Sequence, residues 1–187
     1  MMHCILQFQL NDVDTINFYL YEDVNDLYYW DSELKITFKD NHKEIVLFND
    51  YIIEGIGTLN NVLTNLLNNA MNIEQRFINK GFGHYFNKEL HKTVTTEGSH
   101  EEDPSSSYLL WNAKGWGTWV YNLDGEIYFE ISPIYKWHFS EGDNDREYIP
   151  FDKFIDGYKI YKNLIIDKTK AQEWLEKCEK IFENMKK

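Results

Sequence analysis

Residues 116–132, WGTWVYNLDGEIYFEIS, set Asp124-Gly125 between two runs of alternating side chains. Asp-Gly suits a two-residue type I′ hairpin turn, which needs positive φ at both positions. Closing the chain there settles the pairing by counting: Leu123 opposite Glu126, Asn122 opposite Ile127, Tyr121 opposite Tyr128, Val120 opposite Phe129 and Trp119 opposite Glu130. Side chains alternate across a strand, so one face carries Val120, Ile127, Phe129 and Ile131. The other carries Trp119, Tyr121, Glu126, Tyr128 and Glu130. The first face is aliphatic and reads as core. The second has two readings: aromatic cross-strand pairs half covered by a helix, or an interaction patch whose rings anchor a partner.

The first fifty residues share the period of two. CILQFQL puts Cys4, Leu6, Phe8 and Leu10 on one face, TINFYLY does the same with Ile16, Phe18 and Leu20, and LKITFK with Leu34, Ile36 and Phe38. EIVLF follows a short polar turn. Such alternation predicts an antiparallel meander with one buried face. The period then changes: Leu59, Val62, Leu63, Leu66, Leu67 and Ala70 recur at three and four, predicting a helix over 58–70 with Thr58 as N-cap after Gly55 and Gly57. A short helical piece around IEQRFINK is expected to stop at Gly81. Residues 97–107, EGSHEEDPSSS, form the strongest loop signal and separate the N-terminal sheet and helix from the C-terminal hairpin and helix. Near the C-terminus, Thr169 with Gln172 suggests a capping box, and Ala171, Trp174, Leu175, Cys178, Ile181, Phe182 and Met185 line one helical face over 169–185. Cys178 lies in that stripe and reads as a buried structural thiol.

These elements predict an α+β fold: a twisted antiparallel β-sheet with helices packed on one face, in a single domain over 1–187. At 187 residues the chain is long enough for one sizeable core. Its charge of −12 is spread over the body. Residues 1–50 carry 10 acids and 3 lysines, 51–167 carry 17 acids and 10 bases, and 168–187 carry 4 acids and 6 lysines, giving −7, −7 and +2. A phosphate backbone is repelled by such a body, which argues against direct nucleic-acid binding; a basic protein is attracted and steered in. Two cysteines without a CxxC pair fit a reducing cytoplasm. MMHCILQFQL lacks the features of a signal peptide, and no apolar run nears the ~20 residues that span a bilayer.

Residue patterns for catalysis give nothing positive. Glu126 and Glu130 at i and i+4 of one strand stand roughly 13 Å apart at ~3.3 Å per residue, beyond the usual spacing of glycosidase carboxylates. No HExxH, Walker loop, GxGxxG or GxSxG is present, and HEED at 100–103 reads as a solvated loop. No catalytic residue, cofactor or metal ligand is therefore assigned. An aromatic cleft with acids also suits carbohydrate binding, which stays open as an alternative.

The second half carries GTWVYN, GEIYFEISPIYKW, YIPFDKFIDGYK and KAQEWLEKCEKI. Over roughly residues 108–182 this pattern resembles a family of bacterial immunity proteins from polymorphic-toxin systems, including those of contact-dependent inhibition. The resemblance implies a non-enzymatic, cytoplasmic α+β protein that binds and neutralises one cognate toxin domain. It carries no catalytic residues over. Toxin domains that cut nucleic acids are basic around the cleft, so a nuclease suits the acidic body. Candidate partner-binding residues are Trp119, Tyr121, Glu126, Tyr128 and Glu130, with Glu141, Asp143 and Asp145 of the loop SEGDNDRE. Alternatives are the carbohydrate-binding or carbohydrate-active domain, and a structural or regulatory interaction module; homodimerisation through the hairpin stays open.

Overall fold

The computed structural model describes residues 2–21, 28–95, 107–139 and 147–186. The fold is α+β, as expected, with its antiparallel strands divided between two four-stranded sheets. The first sheet has the order β1-β2-β4-β5, formed by β1 (His3–Gln9), β2 (Thr15–Leu20), β4 (Glu33–Lys39) and β5 (Glu44–Tyr51). Its buried face is the alternating set read from the sequence: Phe8, Ile16, Phe18, Leu20, Leu34, Ile36 and Phe38. Cys4 departs from that set. A register shift between Cys4 and Leu6 turns the start of β1, and Cys4 lies exposed. The two-residue strand β3 (Tyr28–Tyr29) pairs in parallel with β10 (Met185–Lys186) at the end of the described chain.

The second sheet has the order β6-β7-β8-β9, from β6 (Leu109–Ala113), β7 (Trp116–Leu123), β8 (Glu126–Pro133) and β9 (Lys162–Ile166). The β7–β8 register is the one counted from Asp124-Gly125, from Leu123↔Glu126 to Trp119↔Glu130. Asp124 has φ 51° and Gly125 φ 86°, as the type I′ turn requires. Val120, Ile127, Phe129 and Ile131 join one contiguous apolar core with the inner face of the first sheet.

Helices α1 (Ile52–Leu67) and α4 (Lys168–Glu183) belong to that core. α1 begins six residues before the expected start, and Thr58 is inside it rather than at its N-cap. Gly55 lies within α1 because a Cβ there would meet Leu34 and Phe48 at 2.8 Å. The gap left by the missing side chain lets the helix approach the sheet, and the Gly55 carbonyl accepts the Trp111 indole N–H at 3.1 Å. α4 is capped by Asp167, whose carboxylate accepts the Lys170 N–H at 2.8 Å, in place of the predicted Thr169 box. Its buried stripe is Ala171, Trp174, Leu175, Cys178 and Ile181, with Trp174 stacked on Phe8 at 4.5 Å. Burying each such large side chain contributes about 1.5–3 kcal/mol.

Two helices were not expected. The IEQRFINK segment holds only a 3₁₀ turn, Gln75–Phe77, and a full helix, α2 (Phe82–Thr95), follows Gly81. A short α3 (Phe151–Asp156) precedes β9. Among the described residues, no helix is long and apolar enough to cross a membrane.

Candidate functional site

Most of the aromatic and acidic face of the hairpin is core. Trp119, Tyr121 and Glu130 are buried at 0%, 1% and 0% exposure. α2 covers them: Phe82 and Phe86 form a second apolar cluster with Trp119, Tyr121 and Leu123. These three residues are therefore corrected from partner anchors to packing residues. The physical reason is that a helix whose start lies 47 positions before Glu130 covers that face, and no local pattern placed it there. Tyr121 still makes its cross-strand pair, stacked on Tyr128 at 5.4 Å and 6°. Burial pushes the Tyr121 phenol pKa well up. Glu126 is exposed and Tyr128 half-buried, so only these two of the five hairpin candidates meet solvent. Glu141, Asp143 and Asp145 lie outside the described residues.

Glu130 has a defined task. Its Oε2 accepts the Phe82 N–H at 2.8 Å, and its Oε1 accepts the Gly83 N–H at 2.9 Å. The carboxylate thus satisfies the first free amides of α2 and sits at the positive end of its dipole. Ser132 Oγ donates to Glu130 Oε1 at 2.7 Å and accepts the Tyr158 hydroxyl at 2.7 Å. Burial pushes the Glu130 carboxyl pKa up, against the pull of Ser132 and of the two amides. Ser132 is closed to solvent and its hydroxyl is committed on both sides. The trio is therefore a buried structural cap rather than an activated nucleophile.

The same helix anchors a nest of rings at the far end of β8. Asn87, fully buried, donates to the carbonyls of Gly83 and Pro133 at 2.6 and 3.0 Å. Its Oδ1 accepts the Tyr135 N–H at 2.7 Å and lies 3.2 Å from His138 Nε2. That contact assigns the proton of neutral His138 to Nε2. Burial, with His91 nearby, pulls His138 down to about 4. His91 stacks on Phe151 at 3.6 Å. A groove of about 610 Å³ beside this nest is lined by Phe86, Leu90, Trp116, Tyr135 and His138 among others. Among the described residues, no three His, Cys, Asp or Glu side chains gather into a group that could hold a metal ion.

An open aromatic and acidic surface does exist, at the end of the first sheet. Tyr21, Tyr29, Trp30 and Tyr51 are 39%, 50%, 41% and 49% exposed. They are brought together by the backbone. Glu33 pairs with Tyr51 across β4 and β5, and the Tyr21 N–H bonds the Glu33 carbonyl at 3.4 Å. The Tyr21 hydroxyl donates to Asn49 Oδ1 at 3.1 Å. A turn joins Ser32 to Tyr29, and the Ile52 N–H bonds the Ser32 carbonyl at 2.9 Å. Glu33 lies across from Tyr51, and Asp31, Asp50 and Glu54 are exposed positions close to these residues in the chain. Aromatics at 21, 28–30 and 51 with acids beside each are visible in the sequence, but they sit on three separate strand ends. Their convergence is tertiary.

No protein-family model matches this chain, and neither a curated protein nor a solved structure matches it.

Proposed function

We propose that this chain is a non-enzymatic binding protein that neutralises a cognate, basic toxin domain in the cytoplasm, docking it on the surface formed by Tyr21, Tyr29, Trp30 and Tyr51. The observation that carries the reading is the composition of that surface: four exposed aromatic side chains, with Glu33 across from Tyr51 and exposed acids at 31, 50 and 54 close by in the chain. Aromatic rings supply large contact area at low entropic cost, and interface hot spots are enriched in them. Surrounding carboxylates steer a basic partner and reject acidic ones. The net charge of −12 extends the same field over the whole body. The resemblance of residues 108–182 to immunity proteins points the same way.

The test is a capture experiment from the source cells, followed by co-expression. The unaltered chain retains a basic domain at low salt, and co-expression with that domain rescues growth. The double variant Trp30→Ala, Tyr51→Ala folds normally and loses both effects. A captured toxic domain that is neutralised equally well by the double variant removes the docking surface from the reading. Absence of any neutralised partner removes the reading itself. Open rings beside carboxylates also suit a sugar platform. Oligosaccharide binding that disappears in the same variant would replace the toxin with a glycan.

A further inference from the structure

Independently of that docking surface, we infer that the niche on the outer side of α2 is a site for a small phosphomonoester, bound as its dianion between Lys80 and Lys88. The niche is about 310 Å³, at the lower end of the ~300–1,000 Å³ range of small-ligand sites. Lys80, His84 and Lys88 line it, with Phe77 and Tyr85 beside them.

The charges of the lining identify the ligand class. Two charged residues of the niche are already answered, Arg76 by Glu74 at 3.0 Å and Glu89 by Lys92. Lys80 and Lys88 are not: among the described residues neither takes part in an ion pair. His84 stands between them in the chain, four positions from each. Both ammoniums act on it, since burial and then Lys80 and Lys88 hold its pKa below the ordinary histidine value. The niche therefore has two unanswered cations on either side of a neutral imidazole. A carboxylate would answer one of them. A phosphomonoester, with its second pKa near ~6, brings almost two negative charges at pH 7 on a single group with three acceptor oxygens. The first amides of α2 are taken by Glu130, so recognition rests on these side chains alone.

The net charge of −12 is compatible with such a ligand. At 0.1 M salt, charges beyond about 10 Å are largely screened, so a small anion responds to the niche and not to the whole body. A nucleic acid differs because its phosphates extend along the acidic surface. Phe77 and Tyr85, with ring centroids 4.8 Å apart, supply apolar lining for the organic part of the ester.

The experiment is a calorimetric titration of the full chain at about pH 7.5, where a phosphomonoester is a dianion. The probes are phenyl phosphate, inorganic phosphate and the monoanion methyl phenyl phosphate, at matched ionic strength. Phenyl phosphate binds, and the monoanion binds about fivefold more weakly, the margin of one partly exposed charge contact. Lys80→Gln and Lys88→Gln each lower the affinity for phenyl phosphate about two- to fivefold, and together about tenfold or more. Lys180→Gln, the same change of net charge on α4, leaves it unaltered. NMR of the His84 ring gives a second readout: phenyl phosphate raises the His84 pKa, because the dianion offsets the two ammoniums that hold it down. No binding of phenyl phosphate or inorganic phosphate overturns the inference. So does equal binding of phenyl phosphate and its methyl ester, or a Lys80→Gln, Lys88→Gln double variant that binds as tightly as the unaltered chain.

Discussion

The Glu130 carboxylate on β8 and the Gly83 amide at the start of α2 are 2.9 Å apart, although 47 positions separate them in the chain. A sheet side chain thereby supplies the N-terminal cap that the residues before α2 do not. Removing it has two separable consequences. Glu130→Ala leaves the amides of Phe82 and Gly83 and the Ser132 hydroxyl without their acceptor and opens a cavity. A loss of about 3–5 kcal/mol is expected in urea unfolding, with α2 the first element to lose amide-exchange protection. Glu130→Gln keeps one acceptor oxygen and is expected to cost about 1–2 kcal/mol. Equal stability of the two variants would show that the cap contributes little.

Two glycines test how closely the elements are packed. A Cβ on Gly83 would press on the Tyr158 hydroxyl, on Ser132 Oγ at 2.5 Å and on the Trp119 ring at 2.7 Å. Gly83→Ala therefore displaces the Glu130 cap, and a loss of at least about 2 kcal/mol is expected. A Cβ on Gly57, inside α1, meets only Phe182 at the ordinary distance of 3.6 Å. Gly57→Ala is expected to raise stability by about 0.5–1 kcal/mol, since alanine restricts the unfolded chain and favours helix. Thermal unfolding of both variants checks the opposite signs.

A third prediction concerns the clasp between the sheets. Lys162, at the start of β9, places Nζ 3.1 Å from both oxygens of the buried Asp14, and 3.8 Å from Asp40. Tyr161 donates its hydroxyl to Asp40 at 2.6 Å. Lys162→Met strands the Asp14 carboxylate and is expected to cost about 3 kcal/mol. The Tyr161 hydroxyl, helped by the amides of Lys43 and His42 and by Lys162 and opposed by burial, holds Asp40 well below the usual carboxylate range. Its folded pKa is below its unfolded value of 3.8, so this stabilisation is present above that pH and lost as pH falls below it. Tyr161→Phe is expected to cost about 1.5–3 kcal/mol near pH 7, with the difference narrowing below pH ~4 as Asp40 takes up its proton. Urea unfolding at a series of pH values measures the narrowing.

His138 gives an acid response of the same sign, in a higher window. Its folded pKa of about 4 lies below the unfolded 6.5, because burial and His91 disfavour its cation. The unfolded chain takes up that proton first, so stability falls as pH drops from about 6.5 to about 4. At ~1.36 kcal/mol per pH unit the full shift corresponds to a loss of at most about 3.4 kcal/mol. His138→Gln keeps a donor for Asn87 and is expected to remove most of this slope. A variant whose stability falls with pH as steeply as that of the unaltered chain would place the effect on another group.

What the sequence by itself determined was local or periodic. Asp124-Gly125 specified its own turn, and the period of two then set every pair from Leu123↔Glu126 to Trp119↔Glu130 without tertiary information. The stripe from Ala171 to Ile181 specified the buried face of α4, because a 3.6-residue period shows only one apolar side. What only the tertiary structure decided was which strand face stays open. Trp119, Tyr121 and Glu130 read either as packing under a helix or as a binding patch until α2 lies on them, and α2 begins between two glycines with its cap supplied by Glu130 from 47 positions downstream. The Tyr21, Tyr29, Trp30 and Tyr51 surface is the converse case. Its residues are ordinary strand ends in the sequence and become one surface through the β4–β5 pairing and the Tyr29–Ser32 turn. Burial is a property of the partner face as much as of the residue, and the partner face lies far along the chain.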